Sequence, residues 1–159
     1  EAGRPDTITR EKLEIIKSMG AGRISINPQT MCQRTLELVG RSHTPKDIAD
    51  CLDMARAVGF NSINMDVIAG LPGEHAADME HTLNEIIKLA PENLTVHTLA
   101  LKRSSRLVTE GEKYPMPEAE EVEHMVHMGS EAAARLGMQP YYMYRQKYMS
   151  GNLENLWIA

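Results

Sequence analysis

Asp66 stands in a run where apolar Ile63, Met65 and Val67 alternate with Ser62, Asn64 and Asp66. Period-two alternation puts the aspartate on the polar face of a strand, opposite the apolar set. A carboxylate on the inside of a sheet is costly unless hydrogen-bonded or paired. Two readings follow: an acceptor for the hydroxyls or amine of a ligand, or a structural acid held by a cap or salt bridge. Gln29 follows Asn27-Pro28 at the end of another alternating run, and a third run ends in Ala100-Leu-Lys102. Arg41 and His43 lie between two helical patterns. Lys102, Arg103 and Arg106 form a short basic run that could meet carboxylates, or could be a solvated loop. Gly70-Leu-Pro-Gly73 could cradle phosphate, but a tight turn leading into a helix is the simpler reading. His97 could bind a ligand or be a hydrogen-bonded interior histidine. His124 and His127 are three apart on a helix but have no third ligand nearby, so no metal site is expected there. Cys32 and Cys51, the two cysteines, are too few for an iron–sulfur cluster, a zinc knuckle or a disulfide framework. Cys51 reads as a small core residue.

The elements that must position these groups are readable from caps and periodicity. Thr9 caps a helix over 10–19, with Leu13, Ile16 and Ile15 as the candidates for its buried face, and Gly20 stops it. Residues 22–27 alternate as a strand that Pro28 ends. Thr30-Met-Cys-Gln33 has the capping-box pattern of a short helix reaching about 39. Thr44, Pro45 and Asp47 open a helix carrying Ile48, Leu52, Ala55 and Ala57, which ends at Gly59. A strand over 61–69 precedes the Gly70 to Gly73 turn and a helix over 76–89 closed by Pro91. A third strand spans 93–101, and 103–115 is a loop. A helix then begins at Pro117 with acids in its first turn and is closed by Arg135 and Gly137. Residues 138–144 read as a last strand, and 149–159 carry no assignment. Strands alternating with helices imply an α/β fold, a parallel sheet with helical crossovers. Ligands bind beyond the carboxyl ends of such strands. The carboxylate, amide and cationic groups above collect on that rim.

Composition narrows the function classes. A length of 159 residues suits one domain with a real core. The formal net charge of −5 argues against a nonspecific grip on nucleic acid or an anionic membrane. No apolar run approaches the ~20 residues of a membrane-spanning helix, and no secretory signal opens the chain. Two cysteines fit a reducing cytoplasm. The 11 methionines read as core filler. Glu1-Ala-Gly-Arg-Pro-Asp6 looks like the end of a strand entering a loop, so the chain is expected to be part of something longer.

Taken in order, Glu1-Ala-Gly-Arg-Pro-Asp6, Arg23-Ile-Ser-Ile-Asn-Pro-Gln-Thr30, Leu38-Val-Gly-Arg41, Asn64-Met-Asp-Val-Ile-Ala-Gly-Leu-Pro-Gly73 and Leu94-Thr-Val-His-Thr-Leu-Ala100 resemble successive segments of the oxygen-independent coproporphyrinogen III oxidase family of radical S-adenosylmethionine (SAM) enzymes. Leu101-Lys-Arg-Ser-Ser-Arg-Leu107 and Tyr142-Met-Tyr-Arg-Gln-Lys147 are most similar to its coproporphyrinogen dehydrogenase branch. The resemblance covers nearly the whole chain. It implies a single unit over 1–159, the later part of a partial (β/α) TIM-like barrel plus a C-terminal extension, with the cluster-binding Cys-x3-Cys-x2-Cys part upstream. It implies SAM contacts from Glu1, Gln29, Arg41 and Asp66, with the Ala100 backbone lining the adenine. Lys102, Arg103 and Arg106 are the candidates for substrate carboxylates. The implied activity is oxidative decarboxylation of coproporphyrinogen III in haem biosynthesis, with SAM and a [4Fe-4S] cluster as cofactors of the full-length parent. Its implied partners are a porphyrinogen, an electron donor and an electron acceptor. The 159-residue piece alone is expected to hold no cluster and to be inactive, and exposed sheet edges favour its self-association. Two alternatives stand beside this reading: a haem-trafficking relative without decarboxylase activity, and a non-catalytic α/β binding module.

Overall fold

The computed structural model of the chain describes residues 3–100, 115–144 and 155–159. A short 3-10 turn at Pro5–Thr7 leads into α1 (Arg10–Ser18), β1 (Arg23–Gln29), α2 (Gln33–Leu38) and α3 (Pro45–Val58). Then follow β2 (Ser62–Ala69), α4 (Ala76–Leu89), β3 (Asn93–Thr98), α5 (Ala119–Arg135), β4 (Pro140–Tyr144) and β5 (Asn155–Ile158). The strands form one sheet in the order β1-β2-β3-β5-β4. β1, β2 and β3 are parallel, as strands joined by helical crossovers must be. β5 runs antiparallel to both its neighbours, β3 and β4.

Local chemistry explains most boundaries. The Thr9 hydroxyl accepts from the Lys12 N–H and starts α1. Thr44 and Asp47 form a reciprocal capping box at α3, with Pro45 at its first turn, and Gly59 closes that helix in the left-handed region. Ile24, Ile26, Ile63, Met65, Val67, Leu94 and Val96 alternate along the parallel strands and are buried. They join Leu13, Ile48, Leu52, Met79, Ile86 and Met125 of the helices in one core. Each such side chain contributes roughly 1.5–3 kcal/mol by leaving water.

Five expectations need correction. Pro28 does not end β1, which continues through it to Gln29. β1 is an edge strand among the described residues, where a missing N–H costs no ladder bond. Thr30 does not cap α2: Cys32 occupies the cap position without a side-chain capping bond, because the Thr30 hydroxyl is turned into the protein. Ile15 is 52% exposed, and only Leu13 of α1 is fully buried. Ala57 is exposed on α3. Residues 155–158, in a tail without assignment, form the strand that joins β4 to the sheet. The expected loop at 103–115 lies outside the described residues up to 114.

Candidate functional site

The polar positions of the parallel strands form a connected network. Asn64 sits at its centre. Its Oδ1 accepts from Thr95 Oγ1 at 3.0 Å and from Arg23 Nη2 at 3.4 Å, while its Nδ2 donates to Asp66 Oδ1 at 2.6 Å. Arg23 also donates to the Tyr141 hydroxyl of β4 at 3.2 Å. Separately from that network, Asn93 Nδ2 donates to Ser62 Oγ at 3.3 Å. Asp66 therefore commits one oxygen to the network, and its other oxygen lies 3.9 Å from His97 Nε2. Only 13% of its side-chain surface is exposed. Among the described residues no lysine or arginine pairs with it. That geometry is an oriented acceptor, with a carboxylate oxygen turned toward the next strand.

The carboxyl end of β1 is bent. Ile26 pairs with Met65 but Gln29 pairs with Val67, so three steps on β1 match two on β2. This bulge contains Asn27 and Pro28, and it delivers Gln29 with φ 68°, in the left-handed region unusual for a residue with a side chain. The Asn27 N–H donates to the Gly3 carbonyl at 2.7 Å, so the chain just before α1 lies against the outer side of the bulge. His43 is 1% exposed. Its Nε2 lies 3.3 Å from the Pro28 carbonyl, which can only accept, so Nε2 carries the proton. Its Nδ1 has no hydrogen-bond partner. Burial, and then the nearby Arg41 charge, push the His43 pKa down, against the Pro28 hydrogen bond. Arg41 is half-buried, with no carboxylate within ion-pair distance among the described residues. Desolvation and the charge of Arg4 lower its pKa, and Asp6 opposes them. A desolvated guanidinium without a carboxylate partner is a receptor for an anionic group.

Beyond the rim lies a second polar centre, wholly inside. Glu74 follows the Gly70 to Gly73 turn and is 1% exposed. Its Oε1 accepts from Thr30 Oγ1 at 2.6 Å. Thr30 Oγ1 lies 3.1 Å from Thr82 Oγ1 and accepts from the Cys32 N–H at 3.1 Å, while the Met31 N–H donates to Thr82 Oγ1. Desolvation pushes the Glu74 carboxyl up; hydrogen bonds from Thr30 and Thr35 partly offset it, Asp78 adds to the rise and Arg34 opposes it.

The expected residues divide as follows. Gln29, Arg41 and Asp66 belong to the same end of adjacent elements: Gln29 pairs with the residue after Asp66, and Arg41 is two residues from the histidine that touches Pro28. Ala100 is a half-buried bridge residue just past β3, after Leu99, whose N–H donates to the Ala69 carbonyl. Glu1, Lys102, Arg103 and Arg106 lie outside the described residues. His124 and His127 are exposed, and His127 faces Glu131 at 3.5 Å. Both cysteine thiols are buried and free, with pKa values raised chiefly by desolvation. Among the described residues no cluster of three or more metal-ligating side chains occurs. Gly70 and Gly73 have φ 86° and 71°, the conformation of a tight turn before α4. Glu74 was not singled out in the sequence. Its only local signal is an acid wedged between a turn and a helix start, where a solvated first-turn acid is the ordinary reading.

Residues 2–86 match the sequence family described as the Radical SAM superfamily. The chain is 47% identical to the oxygen-independent coproporphyrinogen-III oxidase-like protein HemZ of Bacillus subtilis over 98% of its own length and 31% of that protein. It is 34% identical to the haem chaperone HemW of the same organism over 75% of its length and 32% of that protein. The chain thus spans about a third of the relatives it matches. In fold it is similar to Escherichia coli coproporphyrinogen III oxidase HemN, described as a radical SAM enzyme, with a TM-score of 0.75 at 24% identity, covering 86% of this chain and 32% of that one. Elp3 of Methanocaldococcus infernus shares the architecture with a TM-score of 0.72 at 17% identity, over 80% of this chain and 31% of Elp3.

Proposed function

Because the chain belongs to the radical SAM superfamily, we propose that it is the later part of a barrel that binds SAM, and that the full-length parent oxidatively decarboxylates coproporphyrinogen III in the cytoplasm. The observation that carries the SAM reading is Arg41, a half-buried cation with no carboxylate partner among the described residues, beside the bulge that presents Gln29. The residues fit the group. Arg41 would take the SAM carboxylate, Gln29 and Asp66 the hydroxyl and amine donors of its ribose and methionine ends, and the Ala100 backbone would line the adenine. Glu1 would take the amino group, and Lys102, Arg103 and Arg106 the propionates of the porphyrinogen. When bound, a reduced [4Fe-4S] cluster and SAM supply hydrogen-atom abstraction from a propionate, and loss of carbon dioxide and one electron to an acceptor leaves a vinyl group. The residues of this chain hold SAM in register and keep water from it. The cluster ligands would come from the upstream part, so the 159-residue piece alone is inactive.

The test uses the full-length parent, reconstituted anaerobically. Wild type should cleave SAM and release carbon dioxide from coproporphyrinogen III. Asp66→Ala should raise the Kd for SAM roughly tenfold to hundredfold, the cost of a hydrogen bond to a charged group. An unchanged Kd would remove Asp66 from the site. The haem-trafficking reading is favoured by the 34% identity to a haem chaperone. Tight haem binding with no turnover of coproporphyrinogen III would decide for it.

A further inference from the structure

Gln29 is held in an unfavourable backbone conformation, and the residues on either side of it are both anchored by buried polar side chains from elsewhere in the chain. The preceding carbonyl, Pro28, accepts from His43 Nε2 at 3.3 Å. The following hydroxyl, Thr30, donates to Glu74 Oε1 at 2.6 Å and sits 3.1 Å from Thr82 Oγ1. His43, Thr30, Glu74 and Thr82 are each 1% exposed. A histidine with one orphaned nitrogen and a desolvated carboxylate are both costly to bury. Neither side chain belongs to the SAM-facing set. Both meet the chain where β1 bends, and both come from the loops that carry the rest of the rim: His43 from the loop of Arg41, Glu74 from the turn after Asp66.

We infer that His43 and Glu74 are positioning residues of the SAM site: they clamp the residues before and after Gln29, and so fix the bulge that aims Gln29 and the loop that presents Arg41. This rests on the SAM-binding role proposed above. The physical reason is preorganisation. A left-handed glutamine is strained and persists only where its surroundings over-determine it. Without the clamps the bulge relaxes, and SAM must then restore the bent form when it binds. The clamps also tie the loop of Arg41 and the turn at Gly70 to Gly73 to the same strand end.

The experiment uses the cluster-reconstituted full-length parent, with SAM binding read by equilibrium dialysis and SAM cleavage read separately. His43→Leu and Glu74→Leu remove the polar contacts. His43→Gln keeps a donor for the Pro28 carbonyl, and Glu74→Gln keeps an acceptor for Thr30. The Leu variants should raise the Kd and KM for SAM about tenfold or more, with kcat at saturating SAM and iron content near wild type. The Gln variants should stay within about threefold of wild type, on the scale of a conserved contact. A purely structural role would lower the active fraction, and with it kcat, while leaving KM and Kd unchanged; that result would overturn the inference. Should a Leu variant fail to accumulate, Thr30→Val deletes the clamped hydroxyl at nearly constant volume. A wild-type Kd in that protein would equally overturn it. Failure of the wild-type parent to bind SAM would instead remove the functional reading itself.

Discussion

Glu74 places an acid where a neutral group would be more comfortable. Its carboxyl is buried beside Thr30, with Thr35, Asp78, Arg34 and Cys32 around it, and desolvation raises its pKa above the ordinary carboxylate range. The folded chain therefore holds this proton more tightly than the unfolded chain. The stability linked to it is full below the unfolded pKa and is lost as pH rises through the folded value. Glu74→Gln removes that dependence. It should raise Tm relative to wild type near pH 7 and lose the advantage at about pH 4. Thermal unfolding of both proteins at the two pH values checks this, and an equal difference at both would contradict it. That Asp66, Gln29 and Arg41 come to one end of the sheet was legible, because alternation and motif order put them on one rim. Glu74 was not, because its meaning comes from Thr30 and Thr82, 44 residues before it and eight after it. Periodicity carries no information about such a meeting. His43 stood out only as a neighbour of Arg41, since its contact with Pro28 depends on how the bulge turns that carbonyl.

Among the elements, α5 sits closer to the sheet than an ordinary helix. A Cβ added at Gly129 would lie 2.7 Å from Val96 Cγ2 on β3, and Val96 is stiff at χ1. Gly129→Ala should cost about 1–3 kcal/mol in overpacking, less up to ~1 kcal/mol of gained helix propensity. Its denaturant midpoint should fall, and Val96→Ala in the same chain should recover part of the loss, so the two changes should not add. Glu121 of α5 reaches the start of α4, accepting from the Ala76 N–H at 3.1 Å and facing His75 Nδ1 at 3.1 Å. An anion at a helix start is favourable there, and it locks the two helices together. Helices α3 and α4 were readable nearly to the residue, because their caps and stops are local. β1 was misjudged at Pro28, since the penalty for proline vanishes on an edge and at a bulge. β5 was missed because Asn155-Leu-Trp-Ile158 is too short to show a period, and its pairing with Leu94 to Val96 is a long-range fact.

At the scale of the molecule, the described residues form a five-stranded sheet with β1 at one edge and β4 at the other. Only the Gly3 carbonyl meets the outer side of β1 through a described backbone bond, at Asn27. An open edge is a template for pairing. The isolated 159 residues should therefore populate dimers or larger species in sedimentation experiments at micromolar concentration, and the full-length parent should not do so through this edge. A strictly monomeric piece would show that the bulge and Gly3 suffice to blunt it. The place of β5 carries a different consequence, one of timing. Because β5 lies between β3 and β4, no described backbone ladder joins β4 to the sheet until Asn155–Ile158 have been made. On the ribosome, β1 to β3 can assemble first, while β4 leaves the exit tunnel as an unpartnered strand and waits for the segment that joins it. A released chain that ended just before Asn155 would bear that strand in its most adhesive form.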